Sequence, residues 1–361
     1  MRREILNAIA LGSAVIAVIL AVNLYFTSLP NEEVEFRSAD EITDKSIYKK
    51  APEISGISGY INTDKPLTLA DLKDKVVLVD FWTYTCINCI RTIPYLNAWH
   101  EKYSDDGLVI LGIHTPEFEF EKEYENVKAA VERYGIKYPV LQDNDYITWN
   151  AYANRYWPHK YLIDHEGYIR YDHIGEGAYE ETENVIKELL RERAEALGLT
   201  LTFDEDIEPE AEDVNFNLIF TPELYLGYKF NTAIGNGNIL IQDQVSEFSL
   251  PEECPVNKVC LEGLWRWNDE NIELVSAEGK IVLRYSAKAV NIVASGNSLL
   301  TISLDNKPID EEDYGDDVSD GTVIINEQRL YNLVKSGDYG KHMIEIHVEG
   351  KGFRLYTFTF G

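Results

Sequence analysis

Residues 76–94, VVLVDFWTYTCINCIRTIP, constrain this chain more than any other stretch. They open as an unbroken apolar run rich in β-branched residues, the pattern of a central strand buried on both faces. A Thr83, Tyr84, Thr85 turn follows, and then a C-x-x-C at the head of a helix-like stretch, residues 87–103. A C-x-x-C at a strand-to-helix junction beside βαβ patterning marks a thiol–disulfide redox site. The helix start supplies the chemistry. Its unpaired N–H groups and positive dipole end favour an anion, so Cys86 is expected to ionise more readily than a free thiol. Cys89 is then placed to attack a mixed disulfide and release the substrate. The competing reading, half of a structural zinc site, needs further thiolate or imidazole ligands at fixed spacing. No second C-x-x-C or H-x-x-x-H is present, and His100, His114, His159, His165 and His173 are scattered. Neither a metal nor a cofactor is expected.

With 361 residues the chain is too long for one ordinary domain and predicts two, plus accessory segments. The formal net charge of −29 excludes nucleic-acid binding, which needs basic stripes to displace counterions. It equally argues against docking of the folded domains on anionic lipid, and is read as a solubility device. Four cysteines in two close pairs fit a compartment where disulfides persist.

Residues 1–30 are predicted to be a membrane anchor. Two arginines precede an uncharged apolar run, 5–26, long enough to cross the bilayer as a helix, and Glu32, Glu33 and Glu35 follow it. The positive-inside rule then puts the N-terminus in the cytoplasm and the rest of the chain on the extracytoplasmic side of the cell membrane. A cleaved signal peptide is the alternative, against which stand the length of the run and the lack of a clean A-x-A site after it. Residues 31–50 are charged and read as a stalk. Residues 51–198 alternate strand and helix patterns: strands at 76–82, 108–115 and 138–141, helices at 121–134 and 146–152, a hairpin at 161–174 and a closing amphipathic helix at 179–197 with Gly198 as its cap. Residues 199–213 hold the acidic run DEDIEPEAED, a linker. Over residues 214–361 the period changes to two, with short β-rich runs at 281–285, 300–304, 322–325, 343–348 and 353–360. That spacing predicts an all-β sandwich or jelly roll.

VDFW followed closely by C-x-x-C resembles the thioredoxin superfamily, and FWTYTCINCIRTIPYLNAW resembles the thioredoxin-like extracytoplasmic domain of DipZ proteins, relatives of the TlpA and ResA reductases. TPELYLGY, RLYNLV and FTFG resemble the C-terminal module of DipZ proteins. The resemblance implies an α/β thioredoxin-like fold and thiol–disulfide exchange on proteins. It implies that Asp80 is a buried proton acceptor for the resolving thiol, that Pro94 kinks the redox helix, and that Trp157 and Pro158 are the cis-proline segment facing the disulfide. It favours reduction, for example in cytochrome c maturation, with electrons from a separate CcdA-like membrane protein, since this chain has one predicted crossing where DipZ proteins have many. The dipeptide Ile87, Asn88 between the cysteines departs from the Gly-Pro of thioredoxins, which leaves the reduction potential open.

Other readings compete. Thr83 precedes Cys86 by three residues as in the peroxidatic T-x-x-C of peroxiredoxins, but Val79 stands where that motif has proline. An adhesion or carbohydrate-binding protein with a vestigial redox site is the non-enzymatic alternative. For it, Trp265 and Trp267 share one face of a strand-like segment, although core packing is the plainer reading. Cys254 and Cys260 bracket PVNKV and are expected to form a structural disulfide. The acidic stretch 310–320 is read as a solvated loop, since Val318 stands where a calcium loop needs an oxygen ligand.

Overall fold

A computed structural model describes residues 45–203, 209, 214–230 and 232–361. The apolar run 5–26, most of the predicted stalk and nearly all of the acidic run lie outside the described residues. Among those described, no helix is long and apolar enough to cross a membrane.

Strand β2 (Val76–Trp82) is buried at every position, as its continuous apolar run requires. Side chains alternate across it. Val76, Leu78 and Trp82 join one core and Val77, Val79 and Phe81 the other. It lies inside a six-stranded sheet of order β1-β4-β3-β2-β5-β6, with β1 Gly59–Ile61, β3 Leu108–His114, β4 Val140–Gln142, β5 His159–Ile163 and β6 Ile169–Ile174. β2 pairs parallel with β3 and antiparallel with β5. Helix α1 (Ile87–Tyr103) supplies Ile93, Leu96 and Trp99 to the first core, together with α2 (Tyr124–Arg133) and α4 (Tyr179–Ala196). The short α3 (Ile147–Ala151) covers the second through Trp149. This is the predicted α/β thioredoxin-like layer.

One local expectation shifts. The predicted helix 121–134 splits into a 3-10 turn, Glu119–Lys122, and α2, because the Glu121 carboxylate turns back to accept the backbone N–H of Phe118. Before β2 lies a further 3-10 turn, Leu69–Leu72, capped by Thr68. α4 ends as expected: Leu197 is its C-cap, and Gly198 follows at φ +68°, the left-handed conformation that terminates helices without a Cβ penalty.

The C-terminal third is one ten-stranded sheet whose main path runs β13 (Lys307–Pro308), β12 (Ser298–Leu304), β15, β11, β16, β10 (Ile272–Leu274), β9 and β8 (Val245–Phe248), with β14 (Thr322–Ile325) beside β12 and β7 (Leu224–Tyr225) beside β16. Two long strands run through its middle, β11 (Glu278–Ser295) and β15 (Arg329–Glu349), paired antiparallel. Beside β11 lie β9 (Val259–Trp267) at one end and β16 (Arg354–Phe360) at the other. Ile281, Leu283, Tyr285 and Ala287 face the core of this sheet, and then Val290, Ile292 and Ala294 do. A bulge between Ala287 and Ala289 shifts the phase by one residue, so the same core is lined on both sides of it. The opposite face of the second half joins the first domain's core through Val293, Leu330 and Tyr356. Tyr356 meets Phe118 and Phe120 edge-on at 5.1 and 4.9 Å. Residues 48–361 form one compact unit.

Trp265 is fully buried, and the Trp267 indole N–H donates to the Leu226 carbonyl at 2.9 Å, so the two rings form no open platform. In the 310–320 stretch, Asp317 accepts from Arg329 and the Asn332 backbone. Cys254 and Cys260 are bonded, with Cα atoms 5.9 Å apart. A Cys254→Ser, Cys260→Ser variant is expected to lose about 2 kcal/mol of stability by the chain-entropy argument. A denaturant midpoint unchanged from the parent would contradict it.

Candidate active site

The two cysteines sit where β2 gives way to α1. Cys86 is the N-cap residue, in extended conformation at φ −80° and ψ 112°, and its sulfur accepts the Cys89 backbone N–H at 3.2 Å. The Cys86 carbonyl takes the first helical bond, from Ile90 N at 3.0 Å. A sulfur in this position fills the role usually held by a serine or aspartate oxygen, and negative charge on it is stabilised by an unpaired N–H and the helix dipole. The cysteines are bonded to each other, with Cα atoms 5.2 Å apart. Cys86 is partly exposed and Cys89 is buried. An incoming disulfide therefore reaches Cys86 first.

Asp80 lies on the face of β2 that α1 covers, between Leu78 and Trp82 in the alternation. It is 2% exposed, and its Oδ1 has no hydrogen-bond partner. Burial pushes its pKa up to about 7, against the pull of the Lys160 ammonium. Lys160 is directly opposite, paired with Asp80 across the β2–β5 ladder and fully buried. Its Nζ donates to the Gly175 carbonyl at 3.0 Å. Burial lowers the Lys160 pKa, and Asp80 and Glu176 oppose that shift. The sequence reading found Asp80 and missed Lys160. The available signal was a lysine inside the apolar strand HKYLI.

The Trp157–Pro158 peptide bond is cis. Phe81 pairs with His159, so Pro158 stands at the end of β5 beside the end of β2 that leads into the Cys86 turn. Its carbonyl accepts Gly175 N at 2.8 Å, and the Trp157 indole donates to Thr115 O at 3.1 Å. Asp80, Cys86, Cys89 and Pro158 thus gather at one end of two neighbouring strands. Cys254 and Cys260 belong to a separate small cluster with Val282.

Further residues surround this end of the sheet. The Thr85 hydroxyl donates to the Glu121 carboxylate, which burial raises in pKa. Glu117, half-buried nearby, is pushed up to about 8 by burial and by Glu121, and accepts from the Tyr225 hydroxyl at 2.6 Å. His114, 3.4 Å from the Thr83 hydroxyl, is held neutral because burial lowers its pKa to about 3. On the helix side, Arg91 donates to the Asn88 side chain at 2.7 Å and to Glu176 at 2.8 Å. A cleft of about 250 Å³ runs between α1 and the second sheet, lined by Ile87, Ile90 and Pro94 on one side and Asn291, Asn332 and Val334 on the other.

A sulfur anion stabilised at a helix start and resolved by a neighbouring thiol is the chemistry of thiol–disulfide oxidoreductases, and the six-stranded sheet is their thioredoxin-like fold. The thiol-disulfide oxidoreductase ResA of Bacillus anthracis is 32% identical over 146 residues, which is 40% of this chain and 78% of ResA. The chain belongs to that family of thioredoxin-like oxidoreductases. Residues 47–172 match the AhpC/TSA family, and residues 221–361 match the family described as a thioredoxin like C-terminal domain. Protein DipZ of Mycobacterium bovis is 36% identical over 317 residues, 86% of this chain. The chain spans 43% of the length of DipZ. NHL repeat-containing protein 2 of Gallus gallus is 41% identical over 128 residues, 35% of this chain and 18% of its own.

Proposed function

We propose that this chain reduces disulfide bonds of proteins on the extracytoplasmic side of a membrane. Reduced Cys86 attacks a substrate disulfide, forming a mixed disulfide and expelling one substrate thiolate. Asp80 takes the Cys89 proton, and Cys89 then attacks Cys86 Sγ, releasing the second substrate thiolate and leaving Cys86 and Cys89 oxidised. Pro158 shapes the site and offers backbone for strand-like pairing with the substrate. The observation that carries this reading is the Cys86 sulfur accepting the helix-start N–H of Cys89.

The arrangement we favour is an anchor at 1–30 crossing the bilayer over 5–26, a stalk at 31–50, the redox domain at 51–198, a linker at 199–213 and a β domain at 214–361. A separate CcdA-like membrane protein would return electrons to the pair, and apocytochrome c is one substrate of the right kind. The AhpC/TSA match favours one second reading, a thiol peroxidase using Cys86. Insulin reduction by the dithiol form, set beside peroxide consumption with the same reductant, separates the two. We expect turnover of insulin well above the uncatalysed rate and no consumption of peroxide above it. Peroxide turnover with inert insulin would reverse the assignment.

A further inference from the structure

The loop 175–178 between β6 and α4 binds three parts of the site. Gly175 N holds the Pro158 carbonyl, Gly175 O takes the Lys160 ammonium, and the Glu176 carboxylate takes Arg91 Nε. Arg91 and Glu176 are both nearly buried, with side chains 7% and 8% exposed. Another nitrogen of Arg91 reaches Asn88, which lies between the two cysteines. Lys160 feels both Asp80 and Glu176, Glu176 pairs with Arg91, and Arg91 bonds Asn88, so buried charges lie in order between Asp80 and the C-x-x-C. Nothing in the protein-exchange reaction itself requires a buried ion pair one turn into the redox helix. A buried pair is a doubtful source of stability, so its presence at this position asks for another role.

We propose that Arg91 and Glu176 are positioning residues for the redox pair: Arg91 orients Asn88, between the two cysteines, and places a positive charge one turn into the helix that Cys86 caps, and Glu176 limits that charge. The inference rests on the redox reading of Cys86 and Cys89. Physically, an arginine one turn into the helix favours a thiolate at the N-cap, adding to the dipole. The facing carboxylate subtracts from that effect, so the two residues act on the thiol with opposite signs.

Arg91 faces Glu176 and Asn88, and feels Glu223 from the segment leading into the second sheet. Glu176 faces Arg91 and Lys160, acts on Tyr179 of α4, and its carbonyl meets His173. Asp80 faces Lys160 and acts on Tyr138. Next to the cysteine on the other side are the Thr85 hydroxyl and Glu121. From the second sheet's side, Asp316 and Lys335 line the same cleft as Arg91, and Arg91 Nη1 lies beside Gly361.

The test is an ultraviolet titration of the Cys86 thiolate in the reduced full chain, run beside insulin reduction. Glu176→Gln is expected to lower the thiol pKa by about 0.5, roughly a threefold gain in the ratio of thiolate to thiol at a given pH. Arg91→Met is expected to raise it by a similar amount, and the double variant to return close to the parent. A merely structural pair would move both variants the same way or neither, and either result overturns the proposal. If Arg91→Met does not fold, the sign of the Glu176→Gln shift alone decides. Parent protein that leaves insulin intact would instead remove the redox reading on which the inference stands.

Discussion

Cys86→Ser is expected to abolish insulin reduction, by about a thousandfold or more, whereas Cys89→Ser should still react once and then stop as a stable mixed disulfide. The asymmetry comes from the helix start. Cys86 is the partly exposed N-cap, with its sulfur already aligned on the Cys89 N–H. A serine oxygen there accepts the same hydrogen bond and keeps the helix capped, so the variant should fold while lacking a nucleophile that ionises near neutral pH. Cys89 is buried behind the first cysteine and has no route to a bulky disulfide until Cys86 is joined to it. The measurement is non-reducing electrophoresis with mass spectrometry of each variant after exposure to a disulfide-bonded protein. Trapped adducts on Cys86→Ser in place of Cys89→Ser would invert the roles assigned here.

Much of this site is legible in the sequence, for identifiable reasons. β2 is buried on both faces, so its apolar run is unbroken, and a lone aspartate within it stands out. The C-x-x-C marks the helix start because the chain must turn there. Lys160, Arg91 and Glu176 are not legible in the same way. Lys160 acquires meaning only through the antiparallel register that sets it against Asp80, eighty residues away in the chain by number. Arg91 and Glu176 are 85 positions apart and meet because the loop after β6 folds back over α1. The second sheet was legible in class but not in extent. β11 and β15 were read as short runs at 281–285 and 343–348. The bulge at Ala287 and Ala289 breaks the period-two phase by which a long strand is recognised. Glu121 looked like the first residue of a helix. Its carboxylate instead folds under Thr85, a long-range contact that local periodicity does not encode.

The second large effect concerns Asp80, and it acts in two directions at once. In the unfolded chain the carboxyl titrates at its ordinary value of 3.8, and burial raises it to about 7 in the folded protein. Below pH 3.8 it is protonated in both states and contributes nothing to pH dependence. From there to about pH 7 the folded chain holds a proton that the unfolded chain has released. Stability therefore falls as pH rises, by about 1.4 kcal/mol per unit. Above pH 7 the loss is complete, on the order of 4 kcal/mol. Asp80→Asn removes the titrating group and leaves Lys160 its bond to Gly175 O. The variant should be more stable than the parent at pH 8, with the difference shrinking toward pH 4 in paired denaturant titrations. The same change removes the acceptor proposed for the Cys89 proton. Release of substrate from the mixed disulfide should slow roughly a hundredfold at pH 7 and recover as hydroxide takes over at higher pH. A gain in stability coupled to a loss in rate is what a buried carboxylate kept for chemistry must show. A variant that is less stable at pH 8, or one that releases substrate at the parental rate, would mean that Asp80 is ordinary packing and that the proton leaves Cys89 by another path.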